Sequence, residues 1–263
     1  MLFARQPLSP EQLYFAILSG VEPGLLLRWD PNKIIKEDIS RFILNSSKGL
    51  TKITKSKIQK VQFIYESAKD FLLKEDGLAD IWPNLRSNFQ GHSYERLKQC
   101  CLNYISINVF TPLEIPKSLP KASSQNAVHL RQSATSAFPF LEYAVRNVLY
   151  HADVAAGSGI TQENLIHSFP LNRWIRLDNL FKRHEVRRHT ECVSLLYVLA
   201  EGNILNLVRA HPSILSCLEL ENERYGPPFF AALATGSKEA IRAFIEAFAA
   251  NHSSEGWFHK LCS

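Results

Sequence analysis

The sequence lacks the motifs that mark nucleotide-hydrolysing, metal-dependent and serine enzymes. It has no G-x-x-x-x-G-K-[ST] stretch to surround a phosphate and no G-x-S-x-G turn to present a nucleophile. The stretch HEVRRH (184–189) separates its histidines by five positions, whereas a zinc-binding helix needs four. We interpret this stretch as an exposed basic helix end. The chain is therefore predicted to be non-enzymatic, with no catalytic residues, no metal ligands and no cofactor.

Cysteines and long apolar runs are scarce. The five cysteines show no metal-ligand spacing, and Cys100 and Cys101 are adjacent, which disfavours a shared disulfide. No apolar run reaches the roughly 20 residues that span a bilayer. The N-terminus MLFARQPLSPEQ lacks the apolar core of a signal peptide. These features predict a reduced, cytoplasmic protein with no membrane partner.

The positive charge is concentrated near the N-terminus. Residues 1–60 hold ten Lys or Arg and five acids, so this segment accounts for the whole net charge of +5. Such an imbalance raises the hypothesis of nucleic-acid binding. Five lysines would lie on or beside a predicted hairpin: Lys48, Lys52, Lys55, Lys57 and Lys60. The neighbouring helices mix acidic with basic residues, which makes a poor surface for reading DNA. We therefore favour an exposed polar hairpin and expect no nucleic-acid partner. The alternative is a DNA-binding regulator that uses the basic 48–60 wing.

Residues 1–76 predict helices, a hairpin and a closing helix. Ser9, Pro10 and Gln12 are typical of a helix start, with Gly20 as the stop. A second helix is predicted from about Lys36 to Ser47, with Ile35, Ile39, Phe42 and Ile43 on one face. LTKIT and KVQFI then predict two paired strands. A helix is predicted over residues 66–75. This order is a winged-helix arrangement, which serves DNA binding and protein regulation alike.

The remaining chain predicts helices. Residues 77–124 form a connector, with a helix in SYERLKQCCLNYI and a Pro/Ser-rich linker or long loop from Thr111 to Gln125. A helical extension follows over 125–190. The predicted fold class is mainly α: a winged-helix domain with a small β-hairpin, then an α-helical region that ends in ankyrin-type helix pairs at 191–263.

Those helix pairs are predicted from an internal repeat. SLLYVLAEGNILNLVRA (194–210) and PFFAALATGSKEAIRAF (228–244) align at a constant offset of 34 residues. Each copy predicts a short helix, a glycine turn and a second helix, a period close to that of ankyrin repeats. Two repeats are fewer than the roughly three that usually form a stable stack. We therefore expect helices 139–150 and 172–185 to cap the first repeat, against which Leu196, Leu199 and Leu207 pack.

The last repeat would lack a neighbour on its other side. Its apolar positions Ile241, Phe244 and Phe248 are expected to be partly uncovered and to form a protein-binding surface.

Several stretches together resemble one protein family. LFARQPLSPEQLYFAILSG, SRFILNSSKGL and KVQFIYESAKDFLL resemble the winged-helix segment that follows the nucleotide-binding core in fungal NACHT NTPases of the STAND class. FPFLEYAVRNVLYHA and the 194–245 pair resemble the helical extension and early ankyrin repeats of the same proteins. The resemblance implies a regulatory, protein-interaction fragment of a NACHT–ankyrin receptor-like protein in fungal non-self recognition. The NTPase core would precede residue 1, so we expect a truncated relative or a late-starting gene model that does not bind nucleotide.

The resemblance also gives Tyr65 a possible role. In the relatives the strand-to-helix corner reads F-[IV]-H-x-S, analogous to the Met-His-Asp motif of plant resistance proteins, whose imidazole contacts the bound diphosphate. The matching residues here are Ile64, Tyr65 and Glu66. A phenol donates a hydrogen bond but carries no positive charge near neutral pH. Tyr65 is therefore expected to be a non-functional remnant of a cofactor contact, or a half-buried ring between hairpin and helix.

Overall fold

The computed structural model describes residues 3–25, 29–74 and 88–251, which form a mainly helical protein with a small two-stranded antiparallel sheet. Its N-terminal elements are α1 (Pro10–Val21), α2 (Lys36–Ser46), β1 (Thr51–Ile53), β2 (Val61–Phe63) and α3 (Glu66–Lys74). The helical body contains α4 (Phe89–Ile105), α5 (Gln125–Ala137), α6 (Leu141–Gly157), α7 (Glu163–Ser168) and α8 (Leu171–Phe181). Two helix pairs follow: α9 (Leu195–Glu201) with α10 (Leu205–Ala210), and α11 (Pro228–Thr235) with α12 (Lys238–Asn251). No helix within these ranges combines the length and apolarity needed to cross a bilayer.

The predicted start of α1 is confirmed, but its predicted stop is wrong. Ser9 Oγ accepts from the Gln12 N–H at 3.2 Å, and Gln12 Oε1 accepts from the Ser9 N–H at 2.9 Å, a reciprocal capping box. The helix continues past Gly20 to Val21. A Cβ on Gly20 would lie 2.7 Å from Cys100 Sγ in α4. Glycine at this position therefore permits close packing of two helices rather than a turn.

The hairpin is present where the sequence predicts it. Strand β1 pairs antiparallel with β2, and Lys52 lies opposite Gln62. Helix α2 contacts both α1 and β1, and α3 contacts β2. The predicted apolar face of α2 is only partly correct, because Ile39 and Ile43 are buried whereas Ile35 and Phe42 are exposed.

Helix α6 is the central element of the helical body. It packs against α4, α5, α8 and α10. Trp174 Nε1 of α8 donates to the Val145 carbonyl of α6 at 2.8 Å. Asp153 Oδ1 accepts from the backbone N–H groups of Asn206 and Leu207 at 2.6 and 3.1 Å. The carboxylate therefore caps the N-terminus of α10 from a different helix, and the predicted contact between this helix and the first pair is present.

The Pro/Ser-rich stretch 111–125 packs onto the helical body. Leu113, Ile115 and Ala122 are buried. Glu185 Oε2 accepts from the Ala122 N–H at 2.7 Å, which lowers the pKa of the Glu185 carboxyl. The buried side chains on both sides of residues 124 and 190 belong to one hydrophobic cluster. The proposed domain boundaries at these positions stay predictions, and the boundary at 76 lies outside the described residues.

The 34-residue repeat forms two stacked helix pairs. Helix α9 packs on α11, and α10 packs on α12. The turns of the two pairs place different residues in the left-handed conformation. In the first pair it is Asn203, with a φ of 56°, and in the second pair it is Gly236, with a φ of 68°. Between the pairs, Glu223 Oε1 accepts from the Thr190 N–H and hydroxyl at 2.8 and 2.6 Å. This carboxylate fixes the inter-pair loop to the segment before α9.

A buried histidine lies beneath the N-terminal segment. His151 is fully buried, and its Nε2 lies 3.0 Å from the Tyr143 hydroxyl oxygen, which accepts from the Arg5 N–H at 3.1 Å. Burial, reinforced by the nearby Arg5 charge, lowers the pKa of His151 to about 4. The imidazole is therefore neutral at neutral pH.

Acidification is expected to destabilise the protein through His151. The unfolded chain takes up this proton near its ordinary pKa of 6.5, whereas the folded chain does so only near 4. Within this window the unfolded state binds more protons, so stability falls as pH falls, by up to about 3 kcal/mol from this residue. Urea unfolding at several pH values measures the slope, and the His151→Gln variant should have a shallower one. Equal slopes for both proteins would show that His151 ionises freely in the fold.

Candidate functional site

Tyr65 lies at the corner between β2 and α3 and is largely exposed. Its side chain is 70% accessible to solvent. The interpretation of Tyr65 as a half-buried ring between hairpin and helix is therefore wrong. Its correspondence to a phosphate-contacting histidine stays a prediction.

The hairpin lysines are surface residues. Lys48, Lys52, Lys55 and Lys57 are exposed, and Ile58 at the turn is 71% exposed. The adjacent helices carry local ion pairs, between Asp38 and Arg41 in α2 and between Glu66 and Lys69 in α3. The arrangement presents several cations on the turn and mixed charge beside it.

The second helix pair exposes apolar side chains whose counterparts in the first pair are buried. Leu196 and Leu199 of α9 are 3% and 0% exposed, whereas Phe230 and Leu233, at the same repeat positions of α11, are both 47% exposed. The same contrast links buried Leu207 to half-buried Ile241. Ile245 and Phe248 lie on the same face of α12, four residues after Ile241 and three residues after Ile245. Ile245 is exposed and Phe248 is half-buried. We call Phe230, Leu233, Ile241, Ile245 and Phe248 the end face.

One predicted binding residue is not at this surface. Phe244 is fully buried, and its ring centroid lies 6.1 Å from that of Phe229 in α11. The prediction that Phe244 is partly uncovered is therefore wrong, because this side of α12 faces its partner helix. Phe230, Leu233 and Ile245 are not among the predicted residues. The 34-residue offset could have indicated Phe230 and Leu233, because it aligns them with Leu196 and Leu199, which the stack buries.

A basic cleft of 590 Å³ lies between α6, α8, the 182–189 segment and the first helix pair. It is lined by five basic side chains and two carboxylates, a net charge of +3 with the histidines counted as neutral. The basic residues are Arg5, Arg146, Lys182, Arg183 and Arg187. They come from three distant parts of the chain, so no local motif predicts the cleft; the only sequence signal is the density of cations in KRHEVRRH.

The HEVRRH stretch is a loop with a short 3-10 turn, not a helix end. Helix α8 ends at Phe181, short of the predicted 185. His184 is exposed, whereas His189 is buried, with Nε2 3.3 Å from Glu201 and Nδ1 3.4 Å from Glu223. Across the described parts of the chain, no group of three or more His, Cys, Asp or Glu side chains is arranged to hold a metal ion. His189 links the 182–189 segment to the first helix pair and to the loop between the pairs.

No protein-family model, curated protein or solved structure matches the chain. The resemblance to NACHT–ankyrin proteins therefore stays a prediction that rests on the quoted sequence stretches alone.

The contrast between inner and outer faces of the last pair predicts unequal mutational costs. Phe244→Ala removes a fully buried ring and should cost about 3–5 kcal/mol of unfolding free energy. Phe230→Ala removes a half-exposed ring and should cost about 1 kcal/mol or less. Urea unfolding of both variants beside the unmodified protein measures the difference. Similar costs would mean that the end face is covered in solution.

Proposed function

We propose that this protein is a non-enzymatic, cytoplasmic interaction module whose end face binds a protein partner. In this proposal it is a regulatory fragment of NACHT–ankyrin receptor-like type, with a winged helix at residues 1–76 and ankyrin-type repeats at 191–263. The observation that carries it is the exposure of Phe230 and Leu233 at repeat positions where Leu196 and Leu199 are buried. A helix pair inside a stack covers these positions with its neighbour.

The chemistry of the end face supports protein binding. Two helices that contact each other both present apolar side chains, with Phe230 and Leu233 on α11 and Ile245 and Phe248 on α12. Exposed apolar surface that repeats over adjacent helices is typical of an interaction site. Around it lie charged groups, such as Arg242 paired with Glu239 and with Glu246. An apolar centre with a charged margin matches the usual anatomy of protein interfaces.

Contacts of the N-terminal part support an intramolecular role for it. Arg96 Nη2 of α4 donates to the Gly20 carbonyl of α1, and Asn103 Nδ2 donates to the Ser19 carbonyl at 2.8 Å. The Val61 N–H of β2 donates to the Leu8 carbonyl at 2.9 Å. These bonds hold the N-terminal elements together and attach them to the helical body. In this position the proposed winged helix can restrain the helical body or transmit a conformational change to it.

The alternative function, DNA regulation through the 48–60 wing, has one supporting observation. Lys52, Lys55 and Lys57 are exposed on the hairpin. If they contact phosphates, the logarithm of the affinity falls with log salt by about 0.9 for each contact. A duplex bound tightly at physiological salt, and released by Lys55→Glu with Lys57→Glu, would favour this alternative.

Partner capture from extracts of the source cells tests the end face. The immobilised protein is compared with a Phe230→Asp, Ile245→Asp variant and with the Lys55→Glu, Lys57→Glu variant. Phe230 and Ile245 are about half exposed, and Lys55 and Lys57 are exposed, so circular dichroism and the thermal midpoint should change little. The end-face variant should lose the captured protein by about tenfold or more, since a buried charge disrupts an apolar contact.

The hairpin variant should capture the same protein as the unmodified chain. Capture that survives the end-face substitutions, or that depends on the hairpin lysines and on intact nucleic acid, contradicts the proposed function.

A further inference from the structure

Two arginines of the basic cleft pair with no carboxylate in the described parts of the chain. Arg183 and Arg187 make no ion pair with any carboxylate of the described residues, although both line the cleft. The other charges there are compensated or held. Lys182 Nζ lies 3.2 Å from Asp178 Oδ2, and Arg5 stacks on the Tyr150 ring at 4.6 Å. The cleft therefore has free guanidinium groups at its rim.

Positive charge is crowded on this side of the protein. Arg131 lies in the neighbouring groove, which Arg183 also lines. Burial lowers the pKa of the Arg131 guanidinium, and repulsion from Arg188 and Arg183 lowers it further. A bound anion between these groups would relieve the repulsion.

Part of the cleft wall is apolar. Side chains of α6, α8 and the first helix pair form this part, among them Leu149, Trp174, Val198 and Ile204, beside the buried Asp178 and His189. Trp174 is 6% exposed and its Nε1 is already bonded to Val145. The ring is therefore buried and offers no open face, which disfavours the base stacking that single-stranded nucleic acids need.

We propose that the basic cleft binds an acidic peptide segment of a protein partner. Aspartate or glutamate side chains would pair with Arg183 and Arg187, whose planar guanidinium groups bind carboxylates through two parallel hydrogen bonds. A neighbouring large apolar side chain would contact the apolar part of the wall between α6 and α9. Arg146 also lines the cleft but already pairs with Glu142 at 2.7 Å, so the proposed carboxylate contacts are to Arg183 and Arg187. This surface is separate from the end face and does not depend on it.

Selection from a random peptide library tests the proposal and requires no identified partner protein. A twelve-residue phage library is selected on the whole protein and counter-selected on an Arg183→Glu, Arg187→Glu variant. Enriched peptides should carry two or more acidic residues beside a Leu, Phe or Trp. Their affinity, measured by calorimetry, should fall by about tenfold or more in the variant and should weaken as salt screens the charges.

Three further variants make the result specific. Lys55→Glu with Lys57→Glu changes the net charge by the same amount on the hairpin and should leave peptide binding unchanged. Phe230→Asp with Ile245→Asp should also leave it unchanged, which separates this proposal from the end face. Arg183→Gln with Arg187→Gln removes charge without reversing it and should weaken binding by an intermediate factor. Selected peptides without acidic enrichment, no selected peptide at all, or equal binding by the cleft and hairpin variants would overturn the proposal.

Discussion

Helix α6 is the support on which the other parts of the structure depend. Its buried side contacts α4, α5, α8 and α10, and three polar links extend from it. Tyr143 binds the N-terminal segment, the Val145 carbonyl accepts from Trp174, and Asp153 caps α10. About three repeats are usually required for a stable stack, so we expect the two helix pairs alone to be unstable. Contact with α6 supplies the missing neighbour on one side of the stack.

The same helix positions both proposed binding surfaces. Arg146, Leu149 and Tyr150 of α6 line the basic cleft, so the cleft exists only where α6 meets α8 and the first pair. The first pair packs both on α6 and on the second pair, and the end face lies on the second pair. Among the described residues no element packs beyond the second pair, which explains why equivalent repeat positions differ in exposure. The end face is therefore apolar, whereas the cleft beside the first pair is lined by charged side chains.

Local chemistry could be predicted from the sequence, and nonlocal packing could not. The capping box of Ser9 and Gln12, the hairpin and the 34-residue repeat depend on residues close in the chain or on periodicity, and all are present. The stop predicted at Gly20 is wrong because the neighbour that requires glycine there, Cys100, lies 80 residues away. The exposure predicted for Phe244 is wrong because helical spacing gives an apolar face but not which part of it meets α11. The cleft combines Arg5, α6 and the 182–189 segment, and only the fold brings these together.

Hydrogen exchange in the intact protein tests the role of α6 most directly. Asp153→Ala removes the acceptor for the Asn206 and Leu207 N–H groups. If the stack depends on α6, amides throughout α9–α12 should exchange faster in this variant, because the pairs open together. Glu142→Ala removes a half-buried carboxylate that pairs with Arg146 within the same helix and has no ion pair or hydrogen bond to the stack among the described residues, so it should change little. Faster exchange confined to the first turn of α10 would contradict the dependence and would show that the helix pairs are stable without α6.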